Sequence, residues 1–202
     1  MPLLRELLID KLQTLYDAET QLTTALPKMS EAARNPRLKE AFDKHLAQTR
    51  IHVERLQKIF DALGEEPGDK AASAMTGLIE EGEEMINMGA GKPDMAADLG
   101  LIAAAQCVEH YEISAYGTAR TLARQMGERE CERLLSQTLG DEETTDFVLT
   151  TIADPLVQQA RMDDLGGDAD LEGAKLPHRR KMHAGMMQSQ NAGTTSKPVR
   201  AR

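Results

Sequence analysis

The chain has 202 residues, with 24 Lys and Arg against 33 Asp and Glu, which gives a formal net charge of -9. This length suits one ordinary domain, or a domain with a tail, that can bury a sizeable core. Aromatic residues make up only 3% of the chain and Trp is absent, so strand-favouring residues are scarce and a β-sandwich or β-barrel is nearly excluded.

The sequence contains no apolar run of the roughly 18 residues that a membrane-spanning helix needs. The apolar pattern of the first residues is interrupted by charges at Arg5, Glu6 and Asp10, which argues against a secretory signal. We therefore expect a cytoplasmic protein. Its two cysteines, Cys107 and Cys131, lie in predicted helices, and we expect them to be reduced rather than joined in a disulfide.

The first two predicted elements are helices, because apolar residues recur at alternating steps of three and four residues. Segment A covers residues 3–26 and is expected to end at Pro27. Segment B covers residues 37–63, begins just after Pro36 and is expected to end at Gly64.

A longer connection, residues 64–93, follows and contains MTGLIEEGEEMIN, which predicts a short amphipathic helix. Segment C then runs to residue 126 and is closed by Gly127, and segment D runs from about residue 128 to 153, before Pro155. Two short joints and one long crossover are the connectivity of a ferritin-like four-helix bundle. An ordinary up-down bundle with an inserted helix is the alternative.

The C-terminal part of the chain differs in charge from the rest. Residues 175–202 contain seven basic residues and no acid, so residues 1–174 carry 17 - 33 = -16. The basic part has no sustained apolar period and cannot offset the entropy lost on ordering. We predict a bundle over residues 1–168 and a flexible basic tail over 169–202, with nucleic-acid binding expected only weakly, through the tail.

Each of the four long segments has a seam, the apolar stripe that would face the bundle axis, and each seam is interrupted by polar residues near its middle. The interrupting residues are Glu19 in segment A; His45, Thr49 and His52 in segment B; Glu109 and Glu112 in segment C; and Glu142 and Asp146 in segment D.

Buried, unpaired carboxylates cost several kcal/mol each, and neighbouring like charges make their ionisation harder. No Lys or Arg occupies the listed seam positions, so the acids must share protons or bind cations. Two divalent ions would supply four positive charges, close to the four or five carboxylates. Oxygen ligands with one or two imidazoles suit iron or manganese, and zinc is also compatible.

Residue spacing supports a two-metal site. Glu109 and Glu112 share a helix face about 4.5 Å apart along the axis, close to the roughly 3.5 to 4 Å separation of paired metals. His45 and His52 are about 10 Å apart along their helix, too far for both to bind one compact centre. We prefer His52, because Thr49 precedes it where a metal-binding Glu would normally stand. His45 remains an alternative, and either could be a hydrogen-bonded core histidine.

Several segments together resemble the bacterial YciF/YciE stress-protein family. The likeness covers about residues 3–165 and includes the crossover MTGLIEEGEEMI. The resembling segments are YDAETQL at 16–22, HLAQTRIHVERLQKIF at 45–60, LIAAAQCVEHYEISAYGTAR at 101–120 and TLGDEETTDFVLTTIA at 138–153.

The resemblance implies a ferritin-like, rubrerythrin-like bundle that forms a homodimer, takes part in stress responses and binds a di-metal centre. The general template uses Glu-x-x-His on two helices, and this sequence contains no Glu-x-x-His, so the site is Glu-rich and His-poor by comparison. The ligands implied by position are Glu19, His52, Glu109, Glu112, Glu142 and Asp146, with Thr49 paired with His52.

Two functions follow from these features. The first is a stress-associated protein whose di-metal site, bridged by Glu112 or a neighbouring carboxylate, handles iron, oxygen or peroxide, with Tyr116 or Tyr111 nearby. The second is a non-enzymatic dimeric stress protein that binds a protein partner, with its polar core layer held by shared protons. For Tyr116, a hydrogen bond to a core carboxylate is the simpler expectation.

Overall fold

The structure is a computed structural model that describes residues 2–164, and the predicted basic tail lies outside the described residues. None of the helices in this range is both long and apolar enough to cross a bilayer. The elements are α1 (Pro2–Ala32), α2 (Pro36–Leu63), α3 (Ser73–Gly89), α4 (Asp94–Met126) and α5 (Arg129–Asp164).

The ends of α2 and α4 follow the sequence signals. The Asn35 side chain accepts a hydrogen bond from the backbone N–H of Arg37, and Pro36 opens α2 with a backbone angle already suited to a helix. Gly64 and Gly127 end α2 and α4 with φ of 66° and 78°, a left-handed conformation that glycine adopts without steric cost. Both predicted glycine stops are confirmed.

The two predicted proline stops are wrong. Pro27 lies inside α1 and Pro155 inside α5, and both helices continue for several residues. Beyond Pro27, Met29 is buried and the Ser30 hydroxyl donates to Asp43 on α2 at 2.5 Å. Beyond Pro155, Leu156 packs against the core. Tertiary contacts past each proline therefore compensate for the missing backbone hydrogen bond.

The four long helices form a ring in the order α1, α2, α5, α4, and α3 packs across α1 and α4. Arg5 near the start of α1 donates to the carbonyl of Leu63 at the end of α2. At the opposite end, the backbone N–H groups of Arg34 and Asn35 donate to Asp98 near the start of α4. The crossover thus runs the length of the bundle, which is the ferritin-like connectivity.

The bundle core has three layers. A first apolar cluster lies towards the start of α1 and contains Leu12, Ile59 and Leu135, while a second lies towards its end and contains Leu22 and Phe42. A layer of buried polar residues separates the two clusters, as the seam pattern predicts. Outside this layer, the exposed Cys107 and the buried Cys131 are free thiols.

Candidate metal centre

The middle layer of the bundle contains six buried side chains from four helices, which we call the Glu/His cluster. Apolar layers on both sides fix its height, because each contributing helix carries leucine or another apolar residue about one turn away on the same stripe. Each member is at most 2% exposed: Glu19 on α1, His45 and His52 on α2, Glu109 and Glu112 on α4, and Glu142 on α5.

The cluster divides into two groups that share Glu142. Within each group, one ligand atom from every residue lies within 4.8 Å of the corresponding atoms of the others. Glu142 is the carboxylate common to both groups, whereas the sequence named Glu112 or a neighbouring carboxylate as the bridging ligand. One group contains His45, Glu109, Glu112 and Glu142, and the other contains Glu19, His52 and Glu142.

The two imidazoles face different members of the cluster. His45 Nε2 lies 3.2 Å from Glu109 Oε1, and its Nδ1 lies 3.3 Å from the hydroxyl of Thr145. His52 Nδ1 lies 2.9 Å from Glu142 Oε1 and 3.2 Å from Glu19 Oε1. These carboxylate contacts are short, yet His45 Nε2 and His52 Nδ1 have no aligned hydrogen bond to any described residue.

The two histidines are seven positions apart, and the sequence argument allowed only one of them in a compact centre. Their ring centroids are 6.5 Å apart, and each ring belongs to a different group. Each histidine therefore has its own set of neighbouring carboxylates. Counting both, the cluster has four Glu and two His, the same set as the ferritin-like template, although here both histidines come from α2.

The outer nitrogen of His52 is held by a pair of residues that the sequence did not single out. His52 Nε2 lies 3.3 Å from Asp141 Oδ2, and Arg55 donates to the same oxygen at 2.7 Å. A carboxylate on the far side of a histidine orients the ring and leaves the other nitrogen free for a metal. Asp141 was overlooked because it precedes Glu142 and falls off the apolar seam.

Tyr116 on α4 contacts the α1 member of the cluster, Glu19. Its ring is completely buried and its hydroxyl donates to Glu19 Oε1 at 2.5 Å. This is the hydrogen bond to a core carboxylate that the seam position of Tyr116 predicts. Burial and the charges of Glu19 and Glu112 raise the pKa of Tyr116 well above its usual value, so the phenol remains a donor.

Most of the carboxylate oxygens remain without a partner. Both oxygens of Glu112 and of Glu142, and one each of Glu19 and Glu109, are buried and receive no hydrogen bond within residues 2–164. Native proteins rarely leave buried polar atoms in this state, and an unpaired one costs about 1 to 3 kcal/mol, with more for a charged group. These oxygens are what an added cation would satisfy.

The cluster strongly shifts the pKa values of its members. Burial, together with the charges of Glu142 and Glu19, raises the pKa of Glu109 well above its usual value, and Glu112 behaves in the same way. Burial also raises the pKa of Glu142, partly offset by His52, to about 7.

The two histidines shift in opposite directions. Burial and the charge of His52 lower the pKa of His45 to about 3. Burial would also lower the pKa of His52, but the carboxylates of Glu142 and Glu19 outweigh it and raise that pKa to about 10. His45 is therefore neutral, and His52 is the positive partner of the carboxylates that contact it.

Two predicted positions have other partners. Asp146 is partly exposed, accepts a hydrogen bond from Gln106 at 3.0 Å and lies 3.4 Å from His110, outside both groups. Thr49 is buried, and its hydroxyl donates to the backbone carbonyl of His45 one turn earlier. The position preceding His52 by three residues therefore carries a helix-bonded hydroxyl rather than a carboxylate.

The ring of four helices, the long crossover and the layer of four Glu and two His define a ferritin-like bundle with a candidate di-metal centre. Comparisons with known proteins then identify the family. Residues 3–162 match the family described as Domain of unknown function (DUF892). Protein YciF of Escherichia coli strain K12 is 41% identical over 154 residues, which cover 76% of this chain and 92% of YciF.

Solved structures agree with this assignment. The crystal structure of the E. coli stress protein YciF matches with a TM-score of 0.75 and 40% identity, covering 79% of this chain and 99% of that chain. YcfI from Rhodopseudomonas palustris matches with a TM-score of 0.69 and 37% identity, covering 73% and 93%. The chain belongs to the DUF892 family, the family of the stress protein YciF.

Proposed function

We propose that the Glu/His cluster binds two divalent metal ions, one in each group, with the Glu142 carboxylate between them. The observation that carries this proposal is that two sets of buried ligand atoms, each within 4.8 Å, share one carboxylate. Each set also includes an imidazole, a ligand that suits first-row transition metals.

The negative charge of the cluster also matches the positive charge of two divalent ions. Four carboxylates meet in the layer, and two divalent ions bring four positive charges. Arg55, one turn beyond His52 on α2, is already paired with Asp141 at 2.7 Å. The unpartnered oxygens of Glu112 and Glu142 would become ligands, so binding would offset the desolvation cost of these buried carboxylates.

Iron or manganese suits this oxygen-rich set, and zinc is also compatible. A pair of Fe2+ ions supplies two electrons, enough with two protons to reduce O2 to H2O2 or H2O2 to two waters. Asp141 would orient His52, and Tyr116 would hold Glu19 by its hydrogen bond. Because E. coli YciF is described as a stress protein, we propose iron, oxygen or peroxide handling under stress.

A second candidate is a polar core layer without metal, in a dimeric stress protein that binds a protein partner. The close contacts of His52 with Glu142 and Glu19 favour it, because a positive imidazole between two carboxylates already offsets part of their charge. Two further carboxylates, Glu109 and Glu112, would then have to be protonated, in agreement with their raised pKa values.

The homodimer is also a proposal, tested by light scattering in solution.

Metal titration of the purified, metal-free protein tests the first candidate against the second. We expect two Fe2+ or Mn2+ ions per chain, and a rise in melting temperature on addition of either ion. Glu142→Ala should abolish binding of the pair, because both groups lose a ligand. Glu143→Ala, which removes the exposed neighbouring carboxylate, should bind two ions as before.

The opposite outcome supports the layer without metal. If metal content stays below one ion per chain and neither ion changes the melting temperature, the di-metal centre is wrong. Equal binding by Glu142→Ala and Glu143→Ala would show that the ions occupy exposed acidic groups instead.

A further inference from the structure

A small apolar cavity lies beside the Glu/His cluster, between α1, α3 and α4. It has a volume of about 30 Å³. Its walls are formed mainly by apolar residues of these three helices, including Leu22 and Met29 on α1, Ile79 on α3, and Ala104 and Val108 on α4. The crossover helix α3 therefore does more than connect α2 to α4. It also forms one wall of a cavity that reaches the middle layer.

The two ends of the cavity carry its charged groups. Glu109 of the cluster lines the inner end, where its Oε1 faces His45 and its Oε2 is buried with no hydrogen-bond partner among the described residues. Lys28 on α1 and Glu83 on α3 also line the cavity, and their side chains are half exposed and paired at 2.6 Å. This ion pair connects α1 to α3 at the solvent side.

We propose that this cavity admits and holds a small apolar molecule of the size of dioxygen beside Glu109. The proposal rests on the proposed function for the identity of the molecule, since O2 is what a reduced metal pair would consume. The structure itself supplies a binding place for such a molecule, between the Lys28–Glu83 pair and the cluster.

Size and polarity select this class of occupant. Ligand pockets for larger molecules measure about 300 to 1,000 Å³, roughly ten times this cavity or more. A water molecule fits, because it needs only about 10 to 15 Å³ by the same measure, but a buried water requires two to four polar partners. Beyond the Lys28–Glu83 pair, the cavity offers Glu109 alone among its charged residues, so its interior favours an apolar molecule.

Xenon is a suitable probe, because it enters dry apolar cavities and is located by its anomalous scattering. Crystals of the metal-free protein under xenon pressure should show one site between α1, α3 and α4, next to Glu109. Ala104→Leu and Ala25→Leu, which fill the cavity from two different helices, should each remove this site. Ala103→Leu, on the exposed face of α4, should retain it.

The second measurement is the rate at which O2 oxidises Fe2+ bound to the protein. We expect Ala104→Leu and Ala25→Leu to slow oxidation at least tenfold, with the number of bound ions unchanged, and Ala103→Leu to react at the wild-type rate. A cavity without xenon in the wild-type protein, or equal oxidation rates in all three variants, would overturn the proposal.

The two proposals fail in different ways. If two ions bind and xenon does not, the cavity proposal is wrong and the metal centre stands. If xenon binds beside Glu109 and no ion binds, the metal centre is wrong, and the cavity remains a site for a small apolar molecule.

Discussion

At the scale of single residues, the chemistry of the cluster depends on which groups contact each of the two ring nitrogens of His52. Its outer nitrogen faces Asp141, which Arg55 holds in place, and its inner nitrogen faces Glu19 and Glu142. An outer carboxylate fixes both the ring orientation and the nitrogen that can bind a metal. We therefore propose that Asp141 positions His52 for the centre, while Glu142 would bind both ions directly.

This role gives a test with a matched control on the same helix. Asp141→Ala should weaken metal binding about 10- to 100-fold, as loss of such outer partners typically does. Asp146→Ala should change the affinity by no more than about twofold, because Asp146 contacts Gln106 and His110 outside both groups. Competition titration with a chelator of known affinity measures both.

Equal affinities for the two variants would contradict the positioning role of Asp141. A loss confined to Asp146→Ala would instead return Asp146 to the ligand set that the sequence alone predicts.

The raised pKa values also predict how metal binding depends on pH. Burial and the neighbouring carboxylates raise the pKa values of Glu109 and Glu112 well above their usual range and that of Glu142 to about 7, so these groups hold their protons more tightly than usual. A metal ion must displace these protons, so the affinity should rise with pH between about pH 6 and about pH 8. Calorimetry in buffers of different ionisation enthalpy should show net proton release. A metal affinity that stays constant over this pH range would contradict the raised pKa values of these carboxylates.

At the scale of elements, the sharp joint between α1 and α2 depends on a side chain from α4. The buried Asp98 carboxylate accepts hydrogen bonds from the backbone N–H groups of Arg34 and Asn35, at 2.9 and 2.8 Å. Three helices therefore meet at one carboxylate. This contact sets the heights of α1, α2 and α4 relative to one another, and with them the height of the cluster.

Replacing Asp98 should consequently destabilise the whole bundle. Asp98→Ala leaves two backbone N–H groups without their acceptor, and we expect a loss of about 2 to 4 kcal/mol in the free energy of unfolding. Asp94→Ala removes a carboxylate that is 80% exposed and paired with Arg34, and should cost no more than about 1 kcal/mol. Urea unfolding of both variants measures the two losses in the free energy of unfolding. Similar losses would contradict the structural role given to Asp98.

The helix boundaries show what the sequence could and could not predict at this scale. Gly64 and Gly127 act locally, through backbone conformation, and both were predicted correctly. Pro27 and Pro155 favour a local stop, but tertiary contacts beyond them, such as those of Met29 and Ser30, extend the helices. Contacts between helices are not visible in the spacing of one helix, and the predicted stops were wrong for this reason.

At the scale of the whole molecule, the three-layered core was predictable because it is a periodic property. Each seam is apolar, polar and apolar in turn, and aligning four such seams places the polar residues in one layer. The division into two groups was not predictable, since it depends on side chains such as His45 and His52 leaning towards different carboxylates. The axial spacing of His45 and His52 does not show how their side chains lean, which brings the ring centroids to 6.5 Å apart.

Packing of α3 against α1 and α4 creates a cavity that the seam of no single helix predicts. α3 crosses α1 and α4, and the cavity beneath it connects a surface ion pair with Glu109. The bundle thus combines a charged layer with an apolar approach to it, an arrangement that suits a metal pair that reacts with a small apolar molecule.

Anomalous diffraction from crystals loaded with manganese tests the central claim most directly, because it locates the ions as well as counting them. The account predicts two peaks within the middle layer, one beside His45 and Glu109, the other beside His52 and Glu19, with Glu142 between them. No peak in this layer, or peaks only at exposed carboxylates, would contradict it.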